Sequence, residues 1–150
     1  MSAVTLVLPY PISANRYWRT VVPRGGRRAM TFVSPEAVDY KKQVIAIAKQ
    51  SGIDQPIHGR VSVEYTLYPK RPLDWAKRAR KSVDWDDDVM CIDLDNAQKV
   101  LFDSLKNVVF DDDKWVRKIT AERAEPDGEA RVVVVIRSIK TAVTAQPQLI

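Results

Sequence analysis

The chain has one cysteine and one histidine in 150 residues. A lone Cys91 excludes an internal disulfide framework and fits a reducing compartment, with the thiol packed rather than catalytic because no histidine lies near it in sequence. A lone His58 excludes a zinc site built from several imidazoles and reads as an ordinary loop residue. No apolar run approaches the ~18 residues that would suggest a membrane helix. The opening MSAVTLVLPYP lacks the basic start and long apolar core of a secretory signal. The expected location is the cytoplasm, with no membrane partner. No internal repeat is visible. At 17.0 kDa a single domain over residues 1–140 is expected, able to bury roughly 68–70% of its unfolded surface, with a loose tail over 141–150.

Charge is plentiful and unevenly placed. Ten of the nineteen acids fall between Asp84 and Asp113, against two lysines, for a net −8. The other 120 residues hold 22 basic and 9 acidic side chains, or +13. With a pI near 9.4, such a chain favours an acidic partner, and nucleic acid is the commonest. A basic body around an acidic pocket is the arrangement a metal-dependent nuclease needs.

Hydrophobic patterning predicts an α+β domain, a mixed sheet packed with two main helices. Residues 3–8 (AVTLVL) read as a buried strand ended by Pro9-Tyr10-Pro11, and 30–33 as a short strand closing a basic, turn-rich excursion. Ser34-Pro35-Glu36 starts a helix, with a hydroxyl cap, proline at the first position and an acid in the first turn. Its apolar spacing is Val38, Val44, Ile45 and Ala48, interrupted by Lys41, and Gly52 stops it. Residues 61–68 (VSVEYTLY) alternate as a half-buried strand. Residues 69–90 show no regular pattern, which marks a functional or mobile loop. Leu94, Ala97, Leu101, Leu105 and Val108 space out a second helix. Residues 115–123 and 131–139 read as strands of a hairpin turning at Pro126-Asp127-Gly128.

Within the acidic window stands Asp93-Leu94-Asp95-Asn96-Ala97-Gln98-Lys99. Two carboxylates at i and i+2 share a side only on extended backbone, so the pair is expected in the lead-in to the second helix, with Asp95 near the cap. Held together they repel unless a cation joins them. Magnesium suits such a pair because it takes one or two carboxylates plus waters and phosphate oxygens. Lys99 lies one turn beyond Asp95, placed to hold a phosphate or to stabilise developing charge. Spacing alone leaves a structural alternative open, in which Asp95 caps the helix and Lys99 pairs with it. Asp111-Asp112-Asp113 opposes the dipole at that helix's end, and one of the three can complete a three-carboxylate site; a solvated turn is the alternative.

PYPISANRYWR, SPEAVDYKKQV, DLDNAQKVLFDSL and DDDKWV together resemble the RusA-type Holliday junction resolvases across most of residues 5–120. The resemblance implies a small homodimeric endodeoxyribonuclease of bacteria, prophages and phages that is magnesium-dependent, with manganese as an expected substitute. It implies Asp93, Asp95 and Asp113 as catalytic and metal-binding acids, with Asp112 as the first member of the later pair. It also implies Lys99 as the essential lysine and Asn96 as the residue orienting the acids. The chain departs from the family in carrying Asp111 and a helix-to-acid spacing one residue shorter, which leaves Asp112 and Asp113 as alternatives. Its 70–92 loop is also longer. The expected activity is resolution of four-way junctions by paired symmetric nicks in recombination and repair. A fork or flap nuclease of a phage, and a DNA-binding protein without catalysis, are the alternatives. Expected DNA contacts are Asn15, Arg16, Arg19, Arg27 and Arg28, and Lys70, Arg71, Lys77, Arg78, Arg80 and Lys81. Tyr17 and Trp18 are placed either to stack on unpaired bases or to pack the core.

Overall fold

A four-stranded sheet, a two-stranded ribbon and three helices build the domain in a computed structural model. It describes residues 3–13, 18–22, 24–26 and 28–139, with backbone only at 18, 19, 21, 30 and 32. Strands β1 (Ala3–Pro9), β4 (Val61–Tyr68), β5 (Val116–Arg123) and β6 (Arg131–Ser138) form one mixed sheet in the order β1-β6-β4-β5. Strands β2 (Trp18–Val21) and β3 (Met30–Val33) pair as a separate antiparallel ribbon, in register from Trp18↔Val33 to Val21↔Met30. The ribbon matches the short strand expected at 30–33 and supplies its partner.

Helix α1 (Pro35–Gln50) begins as its sequence dictates: the Ser34 hydroxyl accepts from the Ala37 amide at 3.2 Å, and Pro35 opens the first turn. Gly52, at φ +88°, ends it in the left-handed conformation that glycine adopts freely. The buried stripe is Ala37, Tyr40, Val44 and Ala48; Val44 and Ala48 were expected, whereas Ala37 and Tyr40 take the places read for Val38 and Lys41, and Val38 stays 44% exposed. Tyr40 belongs to the stripe because its ring is apolar and its hydroxyl donates to the Pro9 carbonyl at 2.8 Å. Burial pushes its pKa up.

Strand β4 keeps the expected alternation, burying Val61, Val63, Tyr65 and Leu67. Strand β1 does not run buried on both faces. Leu6 and Leu8 point inward while Val7 is 56% exposed, because β1 is an edge strand with only one face covered. The expected hairpin is also corrected. β5 pairs with β4 in parallel and β6 pairs with β4 antiparallel, so β4 lies between them. Hydrophobicity decides the places: RVVVVIRS buries Val132, Val134 and Ile136 in the sheet interior, whereas VRKITAER, exposed along nearly all its length, takes the edge. A parallel β4–β5 pair needs a long crossover, and the crossover carries helix α3 (Leu94–Leu105).

Residues 69–90 are more ordered than their pattern predicts. Helix α2 (Trp75–Lys81) and a 3-10 turn at Trp85–Asp88 lie within them. α2 buries no residue, so it has no apolar periodicity to read. Trp85 anchors the segment: its ring is buried and its indole N–H donates to Glu125 at 2.7 Å. Arg123 adds two bonds, to the Asp86 and Val89 carbonyls at 3.0 and 2.9 Å. α3 buries Ala97, Val100, Leu101, Phe102 and Leu105, and Phe102 meets Tyr65 and Phe110 edge-on at 6.4 and 6.0 Å. The helix stops at Leu105, before Val108, with Asn107 at φ 63° taking the left-handed turn. The tail over 141–150 lies outside the described residues. Among those described, no helix is long and apolar enough to cross a membrane.

Candidate active site

The first turn of α3 is fixed from two sides. The Ile92 amide donates to the Tyr10 hydroxyl at 2.7 Å, tying the residue before Asp93 to the exit of β1. Across the core, the Tyr65 hydroxyl lies 3.0 Å from the Leu94 carbonyl and 2.9 Å from the Gln98 side-chain oxygen, so its one proton serves both acceptors. Tyr65 is pushed up to about 12, first by burial and then by the negative charge of Asp95. Tyr10 is likewise pushed up to about 12, chiefly by burial, with the Ile92 amide working against it.

On this frame Asp93 is the extended cap residue, at φ −64° and ψ 145°, and its carbonyl accepts from Ala97 at 2.9 Å. Asp95 follows inside the first helical turn, not in the extended lead-in where the i, i+2 argument put it. Neither acid is used as the structural alternative requires. The Asp93 side chain makes no capping bond. Among the described residues the ion pairs are His58–Asp111, Arg78–Asp74 and Arg131–Asp127, so Asp95 and Lys99 do not pair. Both acids and Lys99 are exposed. Asn96 and Asp93 border an open groove of about 500 Å³, walled by Tyr10, Ile12, Met90 and Cys91 among others.

The later acids separate. Asp111 is taken by His58, whose Nδ1 lies 2.9 Å from its carboxylate. Asp112 accepts weakly from the Lys114 amide at 3.5 Å. Asp113 opens a 3-10 turn (Asp113–Trp115) ahead of β5, and its charge reaches Asp103. The Asp103 carboxyl is raised by burial first, lowered by Lys106, and raised further by Asp113. Asp103 stands two helical steps of four beyond Asp95, about 12 Å along the axis. Among the described residues no three His, Cys, Asp or Glu side chains converge on one point that could hold a metal ion.

The donors nonetheless suit magnesium in kind. Asp93 and Asp95 offer hard carboxylate oxygens with no other structural duty, and magnesium asks for one or two such ligands, taking water and phosphate oxygens for the rest.

Of the cations expected on DNA, Lys70, Lys77, Arg80 and Lys81 are exposed. Arg78 is engaged by Asp74 at 2.9 Å, and Arg71 lies over the Trp75 ring at 4.3 Å. Arg28 is exposed. Asn15, Arg16, Tyr17 and Arg27 fall outside the described residues, and only the backbones of Trp18 and Arg19 are described, within β2.

Tyr10, Tyr65, Gln98 and Asp103 were not foreseen as parts of the site. A signal existed for Tyr65: its place in the alternation of β4 is a buried one, and a buried tyrosine needs a partner for its hydroxyl.

No curated protein matches the chain. The family model described as Endodeoxyribonuclease RusA matches residues 9–137, a span that holds every acid and lysine discussed above. Membership of that family implies a nuclease of Holliday junctions that hydrolyses phosphodiester bonds. The chain belongs to the RusA endodeoxyribonuclease family.

Proposed function

We propose that this chain is a magnesium-dependent, structure-selective endodeoxyribonuclease that resolves four-way junctions by paired nicks. The observation that carries the reading is the release of Asp93 and Asp95 from structural duty on a rigidly held helix turn: one acid at a cap position without capping, the other one turn from a lysine without pairing. Asp93 and Asp95 would hold magnesium, manganese substituting, with Asp113 or its neighbour Asp112 contributing from the strand side. Bound there, the metal would supply charge neutralisation at the scissile phosphate and an acidified water at neutral pH. Lys99 places a free ammonium on the same helix face, where it steadies the negative charge that grows on the phosphate. Asn96, at the groove edge, orients the acids. Hydrolysis leaves 5′-phosphate and 3′-hydroxyl ends.

Lys70, Lys77, Arg80 and Lys81 on the α2 segment, with Arg28 and the cations around residues 15–27, supply phosphate contacts and a steep salt dependence. A junction has approximate two-fold symmetry, so a C2 homodimer would present two sites to opposed strands. The lack of three converging acids among the described residues favours a second reading, a junction-binding protein without hydrolysis. Asp93→Asn and Asp113→Asn separate the two on a synthetic immobile junction. Under the nuclease reading wild type makes symmetric nicks with magnesium, and the variants bind without cutting. Cleavage that survives Asp93→Asn sinks the metal assignment, and equal rates on junction and linear duplex sink the resolvase assignment.

A further inference from the structure

The groove beside Asp93 continues away from the acids. Tyr10 and Met90 also wall a second open cavity of about 460 Å³, with Lys70, Arg71, Leu73 and Val89 on its other sides. Lys70, Arg71 and Leu73 pass in turn into a third, of about 290 Å³, that reaches Trp75. Shared side chains join the three into one trough, from Asp93 and Asn96 past Tyr10 and Met90 to Arg71 on Trp75. Its chemistry changes in order: carboxylate and amide at one end, apolar in the middle, cationic and aromatic at the other.

The apolar middle is unusual because the fold has no use for it. Met90 is 93% exposed and Leu73 fully so, two large apolar side chains standing in water on a segment that Trp85 and Arg123 pin to the body. A contiguous apolar surface rimmed by charge marks a binding site. Its position selects the occupant: cations at the far end ask for phosphate, and the near end is the site where a phosphodiester would be cut. Apolar side chains and a guanidinium over an indole, as Arg71 stands 4.3 Å from the Trp75 ring, are surfaces on which bases stack irrespective of sequence.

We infer that the trough holds an unstacked nucleotide of the cleaved strand, its base against Met90 and Leu73 and its phosphates toward Lys70 and Arg71, so that Met90 and Leu73 are specificity-determining residues. The inference rests on the nuclease reading for the identity of that strand. Intact duplex keeps its bases stacked and cannot fill the trough. At a branch point the continuous stack of a strand is interrupted, and extruding one base costs less there than within duplex. Selection for branches then comes from the requirement for a free base, in addition to any fit to overall shape.

The test uses the full chain and an immobile four-way junction carrying 2-aminopurine at successive positions around the branch, mixed without divalent metal so that nothing is cut. Emission is expected to rise at one position, beside the site nicked when magnesium is added. The Met90→Ala and Leu73→Ala variants, whose truncated side chains stand in water and leave the fold intact, are expected to return that emission toward the free-junction level. No responding position, or a response unchanged in both variants, overturns the inference. Cleavage of the same junctions keeps the two readings apart. Wild type that raises the emission and never cuts would support the trough and sink the catalytic reading, whereas cutting without any emission change would sink the trough alone.

Discussion

Replacing Asp93 by alanine should separate activity from stability, and the structure sets the size of the separation. A capping aspartate replaced by alanine costs about 0.5–2 kcal/mol. Asp93 occupies the cap position of α3 but makes no capping bond, and being exposed it leaves no cavity behind. What remains is its charge near the positive end of the helix, worth about 0.3–1 kcal/mol and toward the low end at an exposed site. For a chain of this length 1 kcal/mol moves Tm by roughly 2–4 °C, so Asp93→Ala should lower Tm by about 2 °C or less. Ser34→Ala provides the contrast within the same molecule. Ser34 is fully buried and its hydroxyl does cap α1, so its loss should cost about 1 kcal/mol and the corresponding 2–4 °C. Urea and thermal unfolding of both variants, beside junction cleavage, give the answer. The expected outcome is near-native stability with cleavage abolished for Asp93→Ala, and lower stability with cleavage retained for Ser34→Ala. If Asp93→Ala is destabilised as much as Ser34→Ala, Asp93 supports the helix after all and its lost activity says nothing about chemistry.

Tyr65→Phe removes the one proton shared by the Leu94 carbonyl and Gln98. Leaving these part-buried acceptors without that donor should cost about 1 kcal/mol, read as a lower urea midpoint at unchanged slope, and cleavage should fall because the turn carrying Asp93 and Asp95 loosens. Trp85→Phe deletes the bond to Glu125 and should speed amide hydrogen exchange across 75–89 while leaving β4 and β6 protected; equal deprotection of the sheet would show that the segment is not a separable unit. Asp103 has a raised pKa, chiefly from burial, so the folded chain holds its proton to higher pH than the unfolded chain does. Its contribution is therefore intact below the ordinary aspartate range and falls as pH rises through the raised value. Asp103→Asn should stabilise the protein at neutral pH and flatten that part of the stability–pH curve, and a loss of stability at pH 7 would refute the reasoning. Replacing Lys77, Arg80 and Lys81 together by alanine should reduce the slope of log binding constant against log salt by about 0.9 for each phosphate that these cations neutralise, measured on junction binding without metal.

The parts of the fold that announced themselves were those whose physics is local. The cap of α1, its stop at Gly52 and the alternation of β4 each depend on a few neighbouring residues, and each stands where the pattern put it. Strand order was not local. VRKITAER and RVVVVIRS look like a hairpin across Pro126-Asp127-Gly128, but the stronger run takes a central place between β1 and β4, and only competition for burial among all four strands reveals this. α2 was invisible for the opposite reason: a helix with no buried face has no period. For the candidate site, the DLDN element pointed to the acids and Lys99 but not to their setting, because Tyr10 and Tyr65 are 83 and 28 residues from Asp93 in sequence and meet this turn through single hydroxyl groups.

The acidic window also has a different meaning once folded. Its −8 is not one pocket. Asp84 and Asp86–Asp88 sit in the turn after α2, Asp111 is held by His58, Asp112 and Asp113 begin the 3-10 turn ahead of β5, and α3 carries Asp93 and Asp95 at its start and Asp103 toward its end. Lys99 stands midway, four residues from Asp95 and four from Asp103, about 6 Å of rise from each. A lysine so placed could close an ion pair with either acid, each worth only ~0.3–0.5 kcal/mol on an exposed helix, and it forms neither. The pairings forgone are weak, and forgoing them leaves the ammonium available to a phosphate brought beside Asp95. Lys99→Met should therefore change stability by no more than a few tenths of a kcal/mol while junction cleavage collapses, and Lys99→Arg should restore binding more fully than turnover, since a planar guanidinium keeps the charge but not the compact ammonium geometry. Cleavage that persists in Lys99→Met would place the charge-stabilising group elsewhere and leave this lysine as one solvated cation among many.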